Sequence, residues 1–301
     1  MTDPKVSTHP IASLSDIELI NLLSSVYSDD LSRDLTGKYL SGTEIKRIKA
    51  TLLCIPPDER KSLHLVDFAP SDVWLKAYDY LGYSQFTGLT KLPPEQSNLL
   101  SQPEKLSLEE MKARICYLDI DLEQSDLPDA SVDIVCCFEI LEHLALDPMA
   151  MIEEANRILK VGGLLVLSTP NIASWLSVAK AIIGLNPNNW SPYSPIPEHS
   201  AVRHHREYTV SEVNQLLIDG GFQVSEIKTM DFQEMSSFRR LLSLLIRISL
   251  SPFRGGMKSL GTTTLSVSRK SGPLIDRYPS WLYENFGDHD LADAKKSALP
   301  T

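Results

Sequence analysis

Cysteine is scarce in this chain. Cys54, Cys116, Cys136 and Cys137 are its four among 301 residues, and none stand at Cys-x-x-Cys spacing. Three of them fall in expected strands, which reads as buried free thiols rather than disulfides or zinc ligands. Positive charge is also short: 29 Lys and Arg against 39 Asp and Glu give a net charge of −10. That speaks against a nucleic-acid substrate, since the phosphate backbone attracts basic surfaces. No run of roughly 20 apolar residues is present to span a bilayer. The opening Met-Thr-Asp-Pro-Lys lacks the basic-then-apolar order of a signal peptide, so a cytoplasmic protein is expected. No internal repeat or low-complexity segment occurs. With 43% hydrophobic and 23% charged residues the composition is that of an ordinary globular chain, long enough to bury a full core.

Residues 1–60 read as a helical extension. Ser13-Leu-Ser-Asp-Ile-Glu-Leu-Ile and Thr43-Glu-Ile-Lys-Arg-Ile place apolar residues at helical spacing. From Leu63 onward strands and helices alternate, the pattern of a parallel sheet covered on both faces. Strands are expected near 63–67, 85–89, 115–119, 133–138 and 164–168, with helices near 71–81, 94–113, 139–145 and 148–160. Asp147 caps the last of these, Pro148 opens it, and Gly162-Gly163 is expected to end it. Thr209-Val-Ser-Glu212 is a capping box whose helix runs to Gly220-Gly221. Strands over 222–227 and 262–268 follow. The main domain is set at 61–272, with a tail over 273–301.

Two segments interrupt it. Residues 172–206 hold Asn186-Pro-Asn-Asn-Trp-Ser-Pro-Tyr-Ser-Pro, read as a long lid loop in which Trp175, Trp190 and Tyr193 either stack on a sugar or anchor the loop. Residues 233–260 hold an apolar helix studded with Arg239, Arg240 and Arg247. It reads either as packed on the domain or as a peripheral membrane contact through 238–254.

The densest signal is Asp133-Ile-Val-Cys-Cys-Phe-Glu-Ile-Leu-Glu-His-Leu144, followed by Leu159-Lys-Val-Gly-Gly-Leu-Leu-Val-Leu-Ser-Thr-Pro-Asn171. With Leu127-Pro-Asp-Ala-Ser-Val-Asp-Ile-Val, His204-His-Arg-Glu-Tyr-Thr209 and Arg277-Tyr-Pro-Ser-Trp-Leu-Tyr283, it resembles the class I S-adenosylmethionine (SAM)-dependent methyltransferases, of the kind found in bacterial glycan and polysaccharide biosynthesis. The resemblance spans roughly residues 60–285 in order. It implies an α/β, Rossmann-like, doubly wound sheet of seven strands, with SAM as cofactor and a small-molecule or glycan acceptor.

The family's glycine-rich turn after the first strand is Asp67-Phe-Ala-Pro-Ser-Asp-Val73 here, with Ala69, Ser71 and Val73 at the glycine positions. The acid that takes the ribose hydroxyls is replaced by Thr90, followed by Lys91. Asp121, with Asp119 beside it, stands where an acid reads the adenine amine, and turn or cap chemistry is the alternative for both. The backbone around Cys137 and Phe138 completes the expected cofactor set, and weak SAM binding is expected.

Glu139, Glu142 and His143 are spaced to share one helical face after the fourth strand, where ligands sit in open parallel sheets. Three readings stand. His143 is a general base for an acceptor hydroxyl, with Glu142 and His205 as partners. Alternatively the three bind a divalent metal with His204 or His205, resembling ubiquinone-pathway and plant-type small-RNA methyltransferases. Or the group merely caps and packs. Three functions are weighed: O-methylation of a sugar or glycan intermediate, an inactive relative serving as a partner or regulatory subunit, and an enzyme using a different ligand in the remodelled pocket.

Overall fold

A computed structural model describes residues 9–25, 40, 42–91, 111–188, 203–232, 235–250 and 259–284. Its seven strands are β1 (His64–Phe68), β2 (Gln85–Thr90), β3 (Lys112–Tyr117), β4 (Val132–Phe138), β5 (Leu159–Pro170), β6 (Phe222–Met230) and β7 (Thr263–Lys270). The helices are α1 (Asp16–Ser24), α2 (Gly42–Leu52), α3 (Asp72–Tyr80), α4 (Pro148–Ile158), α5 (Trp175–Ile182), α6 (Val210–Asp219) and α7 (Ser237–Leu250).

The sheet order is β3-β2-β1-β4-β5-β7-β6, parallel except for β7, which runs against both neighbours. β1 and β4 lie at its centre and bury nearly every residue (Leu65, Val66, Ile134, Val135, Cys136 and Cys137 are sealed), as covered parallel strands do. Strand order reverses between β1 and β4, so the crevice above their carboxyl ends is where this topology holds ligands. All four cysteines are free thiols.

One apolar cluster forms on each face of the sheet. The first includes Leu19, Leu23, Ile45, Leu52, Leu75, Tyr78 and Phe86, so the N-terminal helices pack on the sheet through the same core as α3. Ser15 and Glu18 cap α1 reciprocally, as Thr209 and Glu212 cap α6. The second cluster joins α4 and α6, with Met151, Ile152, Ala155, Leu216 and Leu217. Residues 276–283 dock there: Arg277 pairs with Asp147 and Glu153, both at 2.6 Å, and Trp281 Nε1 donates to Asp219 at 2.8 Å.

Four expectations need correction. α4 ends at Ile158, not at Gly162-Gly163, because Leu159 is already extended and pairs with Val132. The next pair is Ile134 with Leu164, so 160–163 bulge out, with Gly162 at φ 81°. The third strand begins at Lys112, inside the helix expected over 94–113, most of which lies outside the described residues. The long loop contains α5, capped by Ser174. Finally, 139–145 is not a helix but a single 3₁₀ turn over Leu141–His143.

Candidate functional site

That 3₁₀ turn brings the acidic and imidazole groups together. Glu139 takes φ 52°, a left-handed torsion costly for a side chain, and its N–H donates to Ser168 at 2.9 Å. Glu139, Glu142 and His143 therefore do not share a helical face as spaced. Glu139 turns toward α2, where Arg47 lies 3.7 Å from its carboxylate, and it accepts from Ser168 Oγ at 2.7 Å.

Glu142 points the other way and is 1% exposed. Its Oε2 accepts from Thr169 Oγ at 2.9 Å, and its backbone carbonyl accepts from His205 N–H at 2.7 Å. Its Oε1 is buried with no hydrogen-bond partner among the described residues. His143 Nε2 stands 3.9 Å from that oxygen and His204 Nε2 4.0 Å, too far for hydrogen bonds. Candidate ligand atoms of Glu142, His143 and His204 all lie within 4.8 Å of one another.

Both rings are held from behind. His143 Nδ1 lies 3.0 Å from the Arg203 carbonyl, which can only accept, so Nδ1 carries the proton and Nε2 is the basic nitrogen of the neutral ring. His204 Nδ1 contacts the buried Glu207 carboxylate at 2.8 Å, which favours the same tautomer. The loop bearing His204 is pinned beside β5 by the bridge between Asn171 and Tyr208. His205, expected to be catalytic, faces out: it is exposed, and its ring meets Arg203 at 3.3 Å. His204 occupies the inward place instead, on a chain that bends at Arg203 and His205. Thr169, Glu207 and Arg47 were not foreseen, although Thr169 lies in the quoted Ser168-Thr-Pro-Asn171.

Burial raises the Glu142 carboxyl well above the ordinary range, and Glu139 adds to the shift. Burial lowers His143, with His204 and His205 adding to it against the Arg203 carbonyl. The centre thus favours a neutral imidazole beside a carboxyl group that is costly to ionise unless a cation joins it.

The cofactor side is rebuilt. Asp67 is 1% exposed and accepts from Tyr78 Oη at 2.6 Å. Burial pushes its carboxyl up to about 8, the Tyr78 hydroxyl opposing. It faces the core rather than a ligand. Ala69 keeps the left-handed torsion of the turn at φ 63° and is exposed, as is Ser71, the N-cap of α3. Pro70 is buried against Gly88, where an added Cβ would come within 2.6 Å of its Cγ. Val73 packs against the core cluster instead of blocking the turn.

Thr90 is buried at the end of β2, and Lys91 next to it pairs with Asp119 at 2.6 Å. Both Asp121 oxygens are engaged by backbone, from Ala145 N at 3.0 Å and Asp147 N at 3.4 Å, so Asp121 holds the 144–147 turn. Cys137 is fully buried, and Phe138 packs on Trp74 with centroids 4.8 Å apart. Asp67 and the side chains of Cys137 and Phe138 thus face the core, and Asp121 is tied to the 144–147 turn. The exposed residues left on the turn, among the described residues, are Ala69 and Ser71, the Ala69 N–H is already given to the Leu89 carbonyl at 2.6 Å, and no carboxylate stands at the end of β2 for a ribose.

Trp175 is an anchor: it is buried and its Nε1 donates to Asp231 at 3.3 Å. Trp190 and Tyr193 lie outside the described residues.

Residues 81–167 match the methyltransferase domain family. A probable SAM-dependent methyltransferase of Mycobacterium tuberculosis H37Rv is 36% identical over 109 residues, 36% of this chain and 33% of that protein. A Mycolicibacterium smegmatis protein described in the same words is 32% identical over 126 residues, 41% of this chain and 42% of its own. The matched segment thus spans well under half the length of these curated relatives. Among solved structures, a chain from the complex of the Haloferax volcanii Trm112 methyltransferase activator with a methyltransferase superposes with a TM-score of 0.53 at 17% identity, covering 86% of this chain and 100% of that one. The [4+2]-cyclase SpnF superposes with a TM-score of 0.52 at 14% identity, covering 87% and 98%. At such identities the structures speak for the fold alone. Domain match and relatives make part of this chain similar to SAM-dependent methyltransferases, and the sheet order gives it an α/β, Rossmann-like methyltransferase fold.

Proposed function

We propose that the protein transfers a methyl group from SAM to a hydroxyl of a sugar or glycan intermediate. The observation that carries an enzymatic reading is the intact centre at the carboxyl end of β4, where His143 presents a basic Nε2 beside buried Glu142. SAM supplies a methyl group activated on a sulfonium sulfur. Ala69, Ser71 and the β2 end at Thr90 would line its place. His143 Nε2 would take the proton of the acceptor hydroxyl, with the Arg203 carbonyl steadying the imidazolium, while the S–CH3 bond of bound SAM would break and S-adenosylhomocysteine would leave. Alignment of the two reactants contributes most of the acceleration. The sugar reading rests on the resemblance of 127–135, 168–171 and 204–209 to glycan-biosynthesis methyltransferases.

A second reading is favoured by the unpartnered Glu142 Oε1: a divalent cation held by Glu142, His143 and His204. Ligand atoms about 2.0–2.2 Å from an ion are separated by roughly 3–4.4 Å, which brackets the 3.9 and 4.0 Å seen here. A cation there would polarise the acceptor oxygen, and His143 would then be a ligand and not a base.

Titration calorimetry with SAM and S-adenosylhomocysteine tests the first reading. Affinity in the micromolar range is expected for both. Absence of heat at millimolar ligand overturns it and favours a non-catalytic partner subunit.

A further inference from the structure

α7 is built inside out. Its single buried residue is Ser243, whose Oγ accepts from Arg247 Nε at 3.1 Å, and Arg247 continues inward to an ion pair with Asp231. The apolar residues face solvent. Phe238, Leu241, Leu245 and Ile248, spaced by three and four, form one stripe with exposures of 74%, 57%, 54% and 55%. Beside it, α5 continues into Ile182 and Ile183, exposed by 74% and 70%. A contiguous apolar surface of this kind in a globular protein marks an interaction site.

Charge identifies the occupant. The chain carries a net −10, yet α7 contains no Asp or Glu, and its exposed face carries Arg239 and Arg240, while Arg247 turns inward to Asp231. Nor does α5 or the stretch after it to Asn188 contain an acid. A second copy seated on this face would set Arg239 and Arg240 against their own copies, with the carboxylate of Asp231 already engaged by Arg247 and Trp175. An anionic lipid surface complements both the stripe and its charge. Spanning is excluded for α7 by length, because 14 residues rise about 21 Å against a hydrocarbon core of about 30 Å.

We infer that α7 and the end of α5 form a docking face that lies flat on an anionic phospholipid bilayer. Asp231 fastens the face: it accepts from Trp175 of α5, pairs with Arg247 of α7, and accepts from Thr262 N at 3.0 Å just before β7. α5 starts shortly beyond Asn171, on the same rim of the sheet as Thr169 and Glu142. Docking would therefore hold the rim of the site close to the headgroups. The inference goes beyond the methyl-transfer reading and does not depend on it.

Co-sedimentation of the full chain with vesicles tests it. Binding is expected to vesicles of phosphatidylcholine and phosphatidylglycerol at three to one, with little to phosphatidylcholine alone. Leu241→Glu with Leu245→Glu should weaken binding at least tenfold. Arg239→Glu with Arg240→Glu should weaken it several-fold and flatten its salt dependence. Circular dichroism checks that the variants fold, and Phe238→Ser provides a milder probe of the same stripe. Absence of binding to either vesicle overturns the inference, as does binding untouched by the leucine substitutions. A wild-type dimer that those substitutions convert to monomer would assign the face to a second copy and overturn it too.

Discussion

The imidazoles of His143 and His204 meet edge to face, centroids 4.9 Å apart, over the buried carboxylate of Glu142. Neither residue's neighbours in sequence would bring this about. The 3₁₀ turn after β4 aims the first inward, and the bridge of Tyr208 to Asn171 places the second.

If the pair shares a cation with Glu142, the full chain should retain or take up one Mn²⁺, Mg²⁺ or Zn²⁺ per molecule by elemental analysis. The bound ion should raise Tm, since a ligand held only by the folded state stabilises it. Glu142→Gln and His204→Ala should each abolish the shift, whereas His205→Ala should leave it, because His205 faces solvent. Loss of the ion in His205→Ala but not in His204→Ala would refute the geometry.

Asp67 gives a pH test remote from that centre. Its folded carboxyl is pushed up to about 8 by burial, against an ordinary value near 3.8. Between those values the folded state binds the extra proton, so this group's contribution to stability falls as pH rises from about 4 to about 8 and is flat above that. The slope is at most ~1.4 kcal/mol per pH unit for one proton. Asp67→Asn removes the titration while leaving an acceptor for Tyr78. Denaturant midpoints measured from pH 5 to 8 should decline in the wild type relative to Asp67→Asn. Parallel curves would show that Asp67 is ionised throughout.

Much of this arrangement was legible in the sequence. The order of strands from Leu63 to Ser268 reads directly because β1, β4 and β5 each carry a short apolar run, Leu65-Val66, Ile134–Phe138 and Leu164–Leu167, between turn signals. Capping at Asp147 and Thr209 reads because the cap contacts are local. What failed was set at long range. Glu139 looks like the first turn of a helix, but its torsion is fixed by a hydrogen bond to Ser168 on the neighbouring strand. Asp121 resembles a ligand-reading acid, and only the approach of 145–147 shows that it also holds a turn. Choosing between His204 and His205 required knowing how the bends at Arg203 and His205 turn that loop toward Glu142.

Asn171 tests how firmly the rim is tied. It is fully buried, and its amide donates to the carbonyls of Ser259 at 3.0 Å and Gly261 at 2.8 Å while its Oδ1 accepts from Ala173 N at 3.0 Å. Asn171→Ala removes three hydrogen bonds, the one to the Gly261 carbonyl fully buried, a cost of about 2–4 kcal/mol. Chemical denaturation should report that loss. Asn171→Asp should rescue only the Ala173 contact, because a carboxylate cannot donate to the two carbonyls.

The turn at Ala69 separates a cofactor cradle from a relic. With φ at 63°, Ala69 holds a torsion that costs a side-chain-bearing residue roughly 1–2 kcal/mol and glycine almost nothing. Ala69→Gly should therefore raise stability by about 1 kcal/mol, less the extra freedom glycine gives the unfolded chain. Because the residue is exposed above the β1–α3 turn, Ala69→Gly should bind SAM at least as tightly as the wild type. Ala69→Val adds a branched Cβ at the same torsion. It should lower Tm and weaken SAM tenfold or more, while circular dichroism stays native. Should Ala69→Val bind SAM with unchanged affinity, the methionine end of the cofactor does not lie over this turn.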